Sequence, residues 1–229
     1  MHRRISISLL PFLACLCVAT AARAQEDTAP FPVSAVPARG ARVQDFVPRG
    51  YRIAHQVAGD LNGDGRADRV IHLVPRGGHY DPDAITAAPE VQALVILLAD
   101  GGRLRRAGMS AKLLQTMVPQ WGLTLTIRRG VLVVNQNFGM TDVSDFTHRF
   151  RLDPANGRFL LIGRDQFFYH RPQEMTEPVK RSENYLTGVR LITTGHWTSG
   201  GGYRETQERE QIPRSKAYFD DIAEDEGNG

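Results

Sequence analysis

Residues 123 to 134 read LTLTIRRGVLVV. Leu123, Leu125 and Ile127 alternate with Thr124 and Thr126, the two-residue period of a strand with one covered face. Arg129-Gly130 then turns the chain, and Val131-Leu132-Val133-Val134 returns beside it as a hairpin partner.

The same reading extends in both directions. Downstream, Phe146, His148, Phe150 and Leu152 fall on one face of a strand, with Thr147, Arg149 and Arg151 on the other. Asn156-Gly157 turns that strand into Phe159-Leu160-Leu161-Ile162. Upstream, Val91 to Ala99 is a continuous apolar run ending at Asp100-Gly101, a pair suited to the positive φ angles of a two-residue hairpin, and Arg103 to Arg106 returns beside it. Thr86 to Leu98 is the one serious helical candidate, but Val95-Ile96 favours a strand and no capping box opens it. The pattern predicts an all-β, antiparallel meander of hairpins. Its expected form is two four-stranded, propeller-blade-like sheets or a sandwich.

The ends of the chain differ from this middle. Arg3-Arg4, an apolar run and Ala22-Arg23-Ala24 have the form of a secretory signal peptide over residues 1–24, with a lipid anchor at Cys15 or Cys17 as the rival reading. No later stretch has the roughly 18 apolar residues of a membrane span. Residues 25–47 are rich in Pro, Ala and polar residues and predict a flexible lead-in. Residues 48–218 form a single β domain, and residues 219–229 an acidic, solvated tail.

Charge and cysteine content narrow the function. The 28 Lys and Arg residues exceed the 25 Asp and Glu by three, and Arg3, Arg4 and Arg23 all belong to the leader. The exported chain is thus balanced near zero, without the clustered cations of a nucleic-acid partner. Both cysteines, Cys15 and Cys17, also lie in the leader, so no disulfide or thiolate site is expected after export to the periplasm or medium.

One loop carries chemistry. In Gly59-Asp60-Leu61-Asn62-Gly63-Asp64-Gly65-Arg66-Ala67-Asp68, counting from Asp60, oxygen-bearing side chains fall at positions 1, 3, 5 and 9, glycine at 6, and the Arg66 carbonyl at 7. This is the spacing of a calcium loop, and oxygen donors without His or Cys suit Ca²⁺. The expected metal residues are Asp60, Asn62, Asp64, Arg66 through its carbonyl, and Asp68. Position 12 is Ile71 rather than the Glu of an EF-hand, so the loop runs directly into an apolar strand. An Asx-rich turn that needs no ion is the competing interpretation.

Ala58 to Val70 resembles the Ca²⁺-binding loop of FG-GAP/VCBS repeats, the blade units of integrin-α-type β-propellers, in which such a loop precedes a strand. Over roughly residues 48 to 195, the order of this loop, GVLVV (130–134), FLLIG (159–163) and ENYLTG (183–188) is also similar to a group of small exported bacterial proteins without assigned activity. The resemblance implies a fold and a metal site and brings no substrate. A closed seven-bladed ring is beyond this length.

Elsewhere, the mature histidines show no HxH or HExxH spacing, no GxSxG precedes a helix, and His72 and His148 sit in strand patterns. His196, Trp197 and Tyr203 border the Gly-rich turn 198–202 and form a candidate ligand loop for a glycan or protein, unless Trp197 folds into the core. Two functions follow. The first is a non-enzymatic calcium-braced β module that binds a protein or glycan through its loops. The second is a periplasmic hydrolase whose site is assembled from distant loops.

Overall fold

The computed structural model describes residues 30–77, 86–87, 91–114, 119–139, 141–170, 177–214 and 216–222. The leader, Tyr80, Asp81-Pro82-Asp83 and residues 223–229 lie outside them. The described chain is all-β. Its strands are β1 (Arg39–Gly40), β2 (Tyr51–Gly59), β3 (Asp68–Pro75), β4 (Thr86–Ala87), β5 (Ala93–Asp100), β6 (Arg103–Ser110) and β7 (Pro119–Arg128), followed by β8 (Val131–Phe138), β9 (Asp142–Leu152), β10 (Phe159–His170), β11 (Val179–Asn184), β12 (Val189–Trp197) and β13 (Tyr203–Gln211).

Two antiparallel sheets result, rather than the two four-stranded sheets expected. Sheet I has five strands in the order β1-β6-β5-β3-β2, and sheet II has eight in the order β13-β12-β11-β10-β9-β8-β7-β4. From β7 onward each strand pairs with the next in sequence, so sheet II is a long hairpin meander. Its turns follow local chemistry. Arg129 and Gly130 both have positive φ, 51° and 74°, at the turn read from the sequence. The β5–β6 turn sits one residue later than expected, on Gly101 and Gly102 (φ 57° and 80°), with Asp100 paired across it to Arg103. The described residues of the Thr86 to Leu98 stretch are not helical: Thr86–Ala87 is a short strand and Ala93 onward is β5.

The sheets meet over one apolar core. Val70, Leu94, Ile96 and Leu98 of sheet I pack with Leu123, Leu125, Leu132, Val134, Phe150 and Leu161 of sheet II. Gly59 marks the close approach, because a Cβ there would lie 2.7 Å from Cγ2 of Ile127. The other face of sheet I, including Ile71, Leu73, Val95 and Leu97, is covered by Phe31, Val36 and Phe46. This double covering explains why β5 reads as an unbroken apolar run instead of an alternating one.

Both chain ends therefore require correction. The segment expected to be a flexible lead-in is packed from residue 30 onward, with Phe46 fully buried, and Arg106 donates from Nη1 to the Val36 carbonyl at 2.7 Å. The expected solvated tail begins instead with two core residues, Phe219 and Ile222. Phe219 meets Phe150 edge-on, with centroids 5.1 Å apart, and its N–H donates to the Phe159 carbonyl at 2.8 Å. Asp220 accepts from Met109 N at 2.7 Å, and Asp221 pairs with Arg158 at 2.6 Å, so this acidic segment ties β6 to sheet II.

Candidate functional site

The 60–68 loop joins β2 to β3, and its polar side chains fold back on its own amides. Asp60 Oδ1 accepts from Gly63 N at 2.6 Å and Asn62 N at 3.2 Å, and Oδ2 accepts from Gly65 N at 2.9 Å. These amides, that of Gly65 foremost, hold the Asp60 carboxyl below the ordinary carboxylate range. Asn62 Oδ1 accepts from Asp64 N at 3.1 Å, Asn62 Nδ2 donates to Asp64 Oδ2 at 3.1 Å, and Asp64 Oδ1 accepts from Arg66 N at 2.8 Å. Gly63 and Gly65 turn the chain at φ 80° and 78°, in the left-handed region that favours glycine. Asn62, Asp64 and Arg66 are exposed, whereas Leu61 is anchored in the core.

Asp68 is different in kind. It is fully buried, accepting from Leu61 N (2.8 Å) on one oxygen and from Ala99 N (2.8 Å) on the other, and so joins the loop to the end of β5. Burial raises its pKa despite those two amides, and Asp64 and Asp60 push it further the same way. Among the described residues no cation forms an ion pair with Asp60, Asp64 or Asp68. Nor do the described residues gather three His, Cys, Asp or Glu side chains closely enough to hold a metal as they stand. The loop thus brings Asp60 and Asp64 onto one turn with no paired cation among the described residues, while both oxygens of Asp68 accept backbone amides.

The second candidate, the β12–β13 hairpin tip, divides its three residues between two faces. Thr198 N donates to the Gly202 carbonyl at 2.8 Å, closing the turn. Trp197 and Tyr203 stand directly opposite each other, 43% and 46% exposed, with ring centroids 4.9 Å apart. Trp197 is therefore a surface residue rather than part of the core. Gly195 makes room for the pair: a Cβ there would overlap the Tyr203 hydroxyl oxygen, so the phenol rests on bare backbone. His196, one residue out of phase, points the other way and is held by Glu177 (2.8 Å) and Thr206 (3.1 Å). By register, Phe167 and Tyr169 of β10, 5.0 Å apart, lie on the Trp197 face two strands away.

A third feature escapes sequence reading. Register places Val134, His148, Arg164, Glu183, Arg190 and Glu210 in one row across six strands. Glu183, 4% exposed, receives Arg164 Nη2 at 3.0 Å, Arg190 Nε at 2.7 Å and the Tyr185 hydroxyl at 2.5 Å, and Arg190 reaches on to Glu210 at 3.2 Å. Burial would raise the Glu183 pKa, but Tyr185 and the two guanidinium groups overcome it and hold the carboxylate ionised. Burial, then the Glu183 carboxylate, push the Tyr185 hydroxyl up, so it remains a donor. Burial and the nearby Arg164 push His148 down to about 4. These shifts leave an ionised anchor, a protonated phenol and a neutral imidazole near pH 7. Such a network braces strands. Each residue of the row lies in a separate strand, so only the pairing register brings the charges together.

No protein-family model, curated protein or solved structure matches this chain. These comparisons therefore give the FG-GAP/VCBS resemblance no support.

Proposed function

We propose that this is an exported, non-enzymatic β module, periplasmic or secreted. In this reading the 60–68 loop takes Ca²⁺ as a structural brace, and the Trp197–Tyr203 pair binds a glycan or protein. The observation that carries the calcium reading is a contrast between two buried acids. Glu183 has two guanidinium partners, whereas Asp68 has none among the described residues and shares its loop with Asp60 and Asp64. Buried charge is ordinarily paired or bound to metal. Asp60, Asn62, Asp64, the Arg66 carbonyl and Asp68 would hold the ion. Each carboxylate oxygen that accepts an amide keeps a lone pair for it, and the exposed side chains of Asn62 and Asp64 would give up their hydrogen bond to each other to turn toward the ion.

The tip supports the binding half of the reading. An exposed tryptophan packed at a 57° tilt against a tyrosine that is seated over glycine presents a preformed aromatic surface at little entropic cost.

Thermal melts in chelator and in millimolar calcium test the brace. At tenfold excess over Kd, calcium should add about 1.4 kcal/mol, a rise of roughly 3 to 6 °C for a domain of this size, and Asp64→Ala should abolish it. No shift beyond about a degree refutes the calcium reading. For the tip, tryptophan emission titrated with oligosaccharides should change in the native protein and not in Tyr203→Ala.

A further inference from the structure

Strand β13 is the outermost strand of sheet II, and every one of its nine residues is exposed. The backbone parity of this edge is known from its hairpin. Ile212 N donates to the Gly188 carbonyl, and Thr198 N to the Gly202 carbonyl, which fixes 188/212 and 198/202 as hydrogen-bonded pairs. In an antiparallel ladder such pairs alternate, so Arg204, Thr206, Glu208 and Glu210 direct their backbone groups to β12 through the observed register. Tyr203, Glu205, Gln207, Arg209 and Gln211 therefore aim theirs outward, away from the sheet.

The charges along that edge invert in sign about Gln207. Reading outward in either direction from Gln207 gives Thr206 or Glu208, then Glu205 or Arg209, then Arg204 or Glu210. A second β13 laid antiparallel with Gln207 on the two-fold axis would set Arg204 opposite Glu210 and Glu205 opposite Arg209, each twice. That register also satisfies backbone parity, because the outward-facing odd residues meet one another as hydrogen-bonded pairs. The neighbouring symmetric registers that keep this parity are poorer. Centring on Glu205, Glu208 or Arg209 sets that residue against its own copy, and centring on Thr206 pairs only Arg204 with Glu208. Charged edges usually keep strands apart, and cross-strand charge pairs decide which partner is accepted. The Gln207-centred register forms the most opposite-charge pairs and no like-charge pair.

We propose that the protein self-associates as a symmetric dimer through β13, centred on Gln207, which joins two copies of sheet II into one continuous sheet. The interface is isologous, as a two-fold contact requires. It also continues the charge row already present. Arg164, Glu183, Arg190 and Glu210 alternate in sign across β10 to β13, and the second copy's Arg204 takes the next place. Arg204 and Arg209 have no ion-pair partner among the described residues, so both are available for it.

Sedimentation velocity of the purified protein over roughly 1 to 100 µM, the range suited to a small strand-to-strand interface, tests this directly. The native protein should shift from monomer to dimer mass across that range. Glu205→Arg and Arg209→Glu should each remain monomeric, since each sets like charges opposite one another. Mixing these two variants should restore a dimer. The introduced arginine of one chain then meets the introduced glutamate of the other, and the unaltered Arg209 of the first meets the unaltered Glu205 of the second. The double reversal in one chain should dimerise as the native protein does. Gln207→Pro, which removes an outward N–H while leaving the β12 pairing intact, should be monomeric, with the melting midpoint that the native protein has at concentrations where it is a monomer. A native protein that stays monomeric throughout overturns the proposal. So does a dimer that survives both single reversals.

Discussion

Strand β5 at the centre of sheet I and strand β13 at the edge of sheet II are of similar length, eight and nine residues, yet six successive residues of β5 are buried and none of β13 is. The difference comes from what lies on each face. Strand β5 has sheet II on one side and Phe31, Val36 and Phe46 on the other, so every side chain between them is removed from water and almost any polar replacement would be costly. Beyond β10, the described residues place no second layer on sheet II, and its strands are held by hydrogen bonds, the Glu183 charge row and the Arg149–Asp165–Ser182 contacts. Apolar burial is thus concentrated where the two sheets meet and on the outer face of sheet I, and β10 to β13 depend on polar contacts.

The strongest way to break this comparison is to uncover sheet I. Phe46→Ala should cost about 3–5 kcal/mol by urea denaturation; a loss below about 1 kcal/mol would mean the N-terminal segment does not cover β5. Next is the charge row. Glu183→Gln strands Arg164 in a site where its side chain is only 9% exposed and should cost about 3 kcal/mol, while replacing Arg164 and Glu183 together with Met and Leu should recover most of it. Recovery would show that the row specifies strand pairing more than it stabilises β10 to β13.

Acid sharpens the contrast further. His72, buried in sheet I, is held down to about 4 by burial, opposed by its Gln92 hydrogen bond, and His148 in sheet II is likewise near 4. Because the folded pKa lies below the unfolded value of about 6.5, their full stability is present above pH 6.5. It is lost as pH falls from there toward 4, where the unfolded chain takes up the protons first. Each imidazole should account for about 1.4 kcal/mol of loss at pH 5.5. His148→Phe should flatten that slope by about half in denaturant melts run from pH 7.5 to 5. The smallest effects belong to the tip. Trp197→Ala should change stability by no more than about 0.5 kcal/mol, and Gly195→Ala should displace the Tyr203 ring and alter tryptophan emission at nearly constant midpoint.

Where a strand has one wet and one dry face, its sequence shows it. Leu123 to Ile127, Arg129-Gly130, and the Phe146 to Leu152 alternation all translate directly into β7, its turn and β9. The packed ends are hidden because Phe31, Val36, Phe46, Phe219 and Ile222 act as single anchors in irregular chain or, for Phe46, in a four-residue 3-10 helix too short to show a period. Strands β11 and β13 are hard to read for the opposite reason: with neither face apolar, VKRSEN and YRETQEREQ carry no hydrophobic alternation. At the candidate site the calcium-type spacing is legible. The burial of Asp68 against Leu61 and Ala99 is not, since Ala99 belongs to a strand 31 residues away.

Hydrogen exchange with and without millimolar calcium tests the central claim, that the 60–68 loop braces the sheet I half of the molecule. Calcium should slow exchange at the Leu61 and Ala99 amides, which both bond to Asp68, and leave the amides of β12 unchanged. Equal exchange at Leu61 and Ala99 in chelator and in calcium would contradict the account.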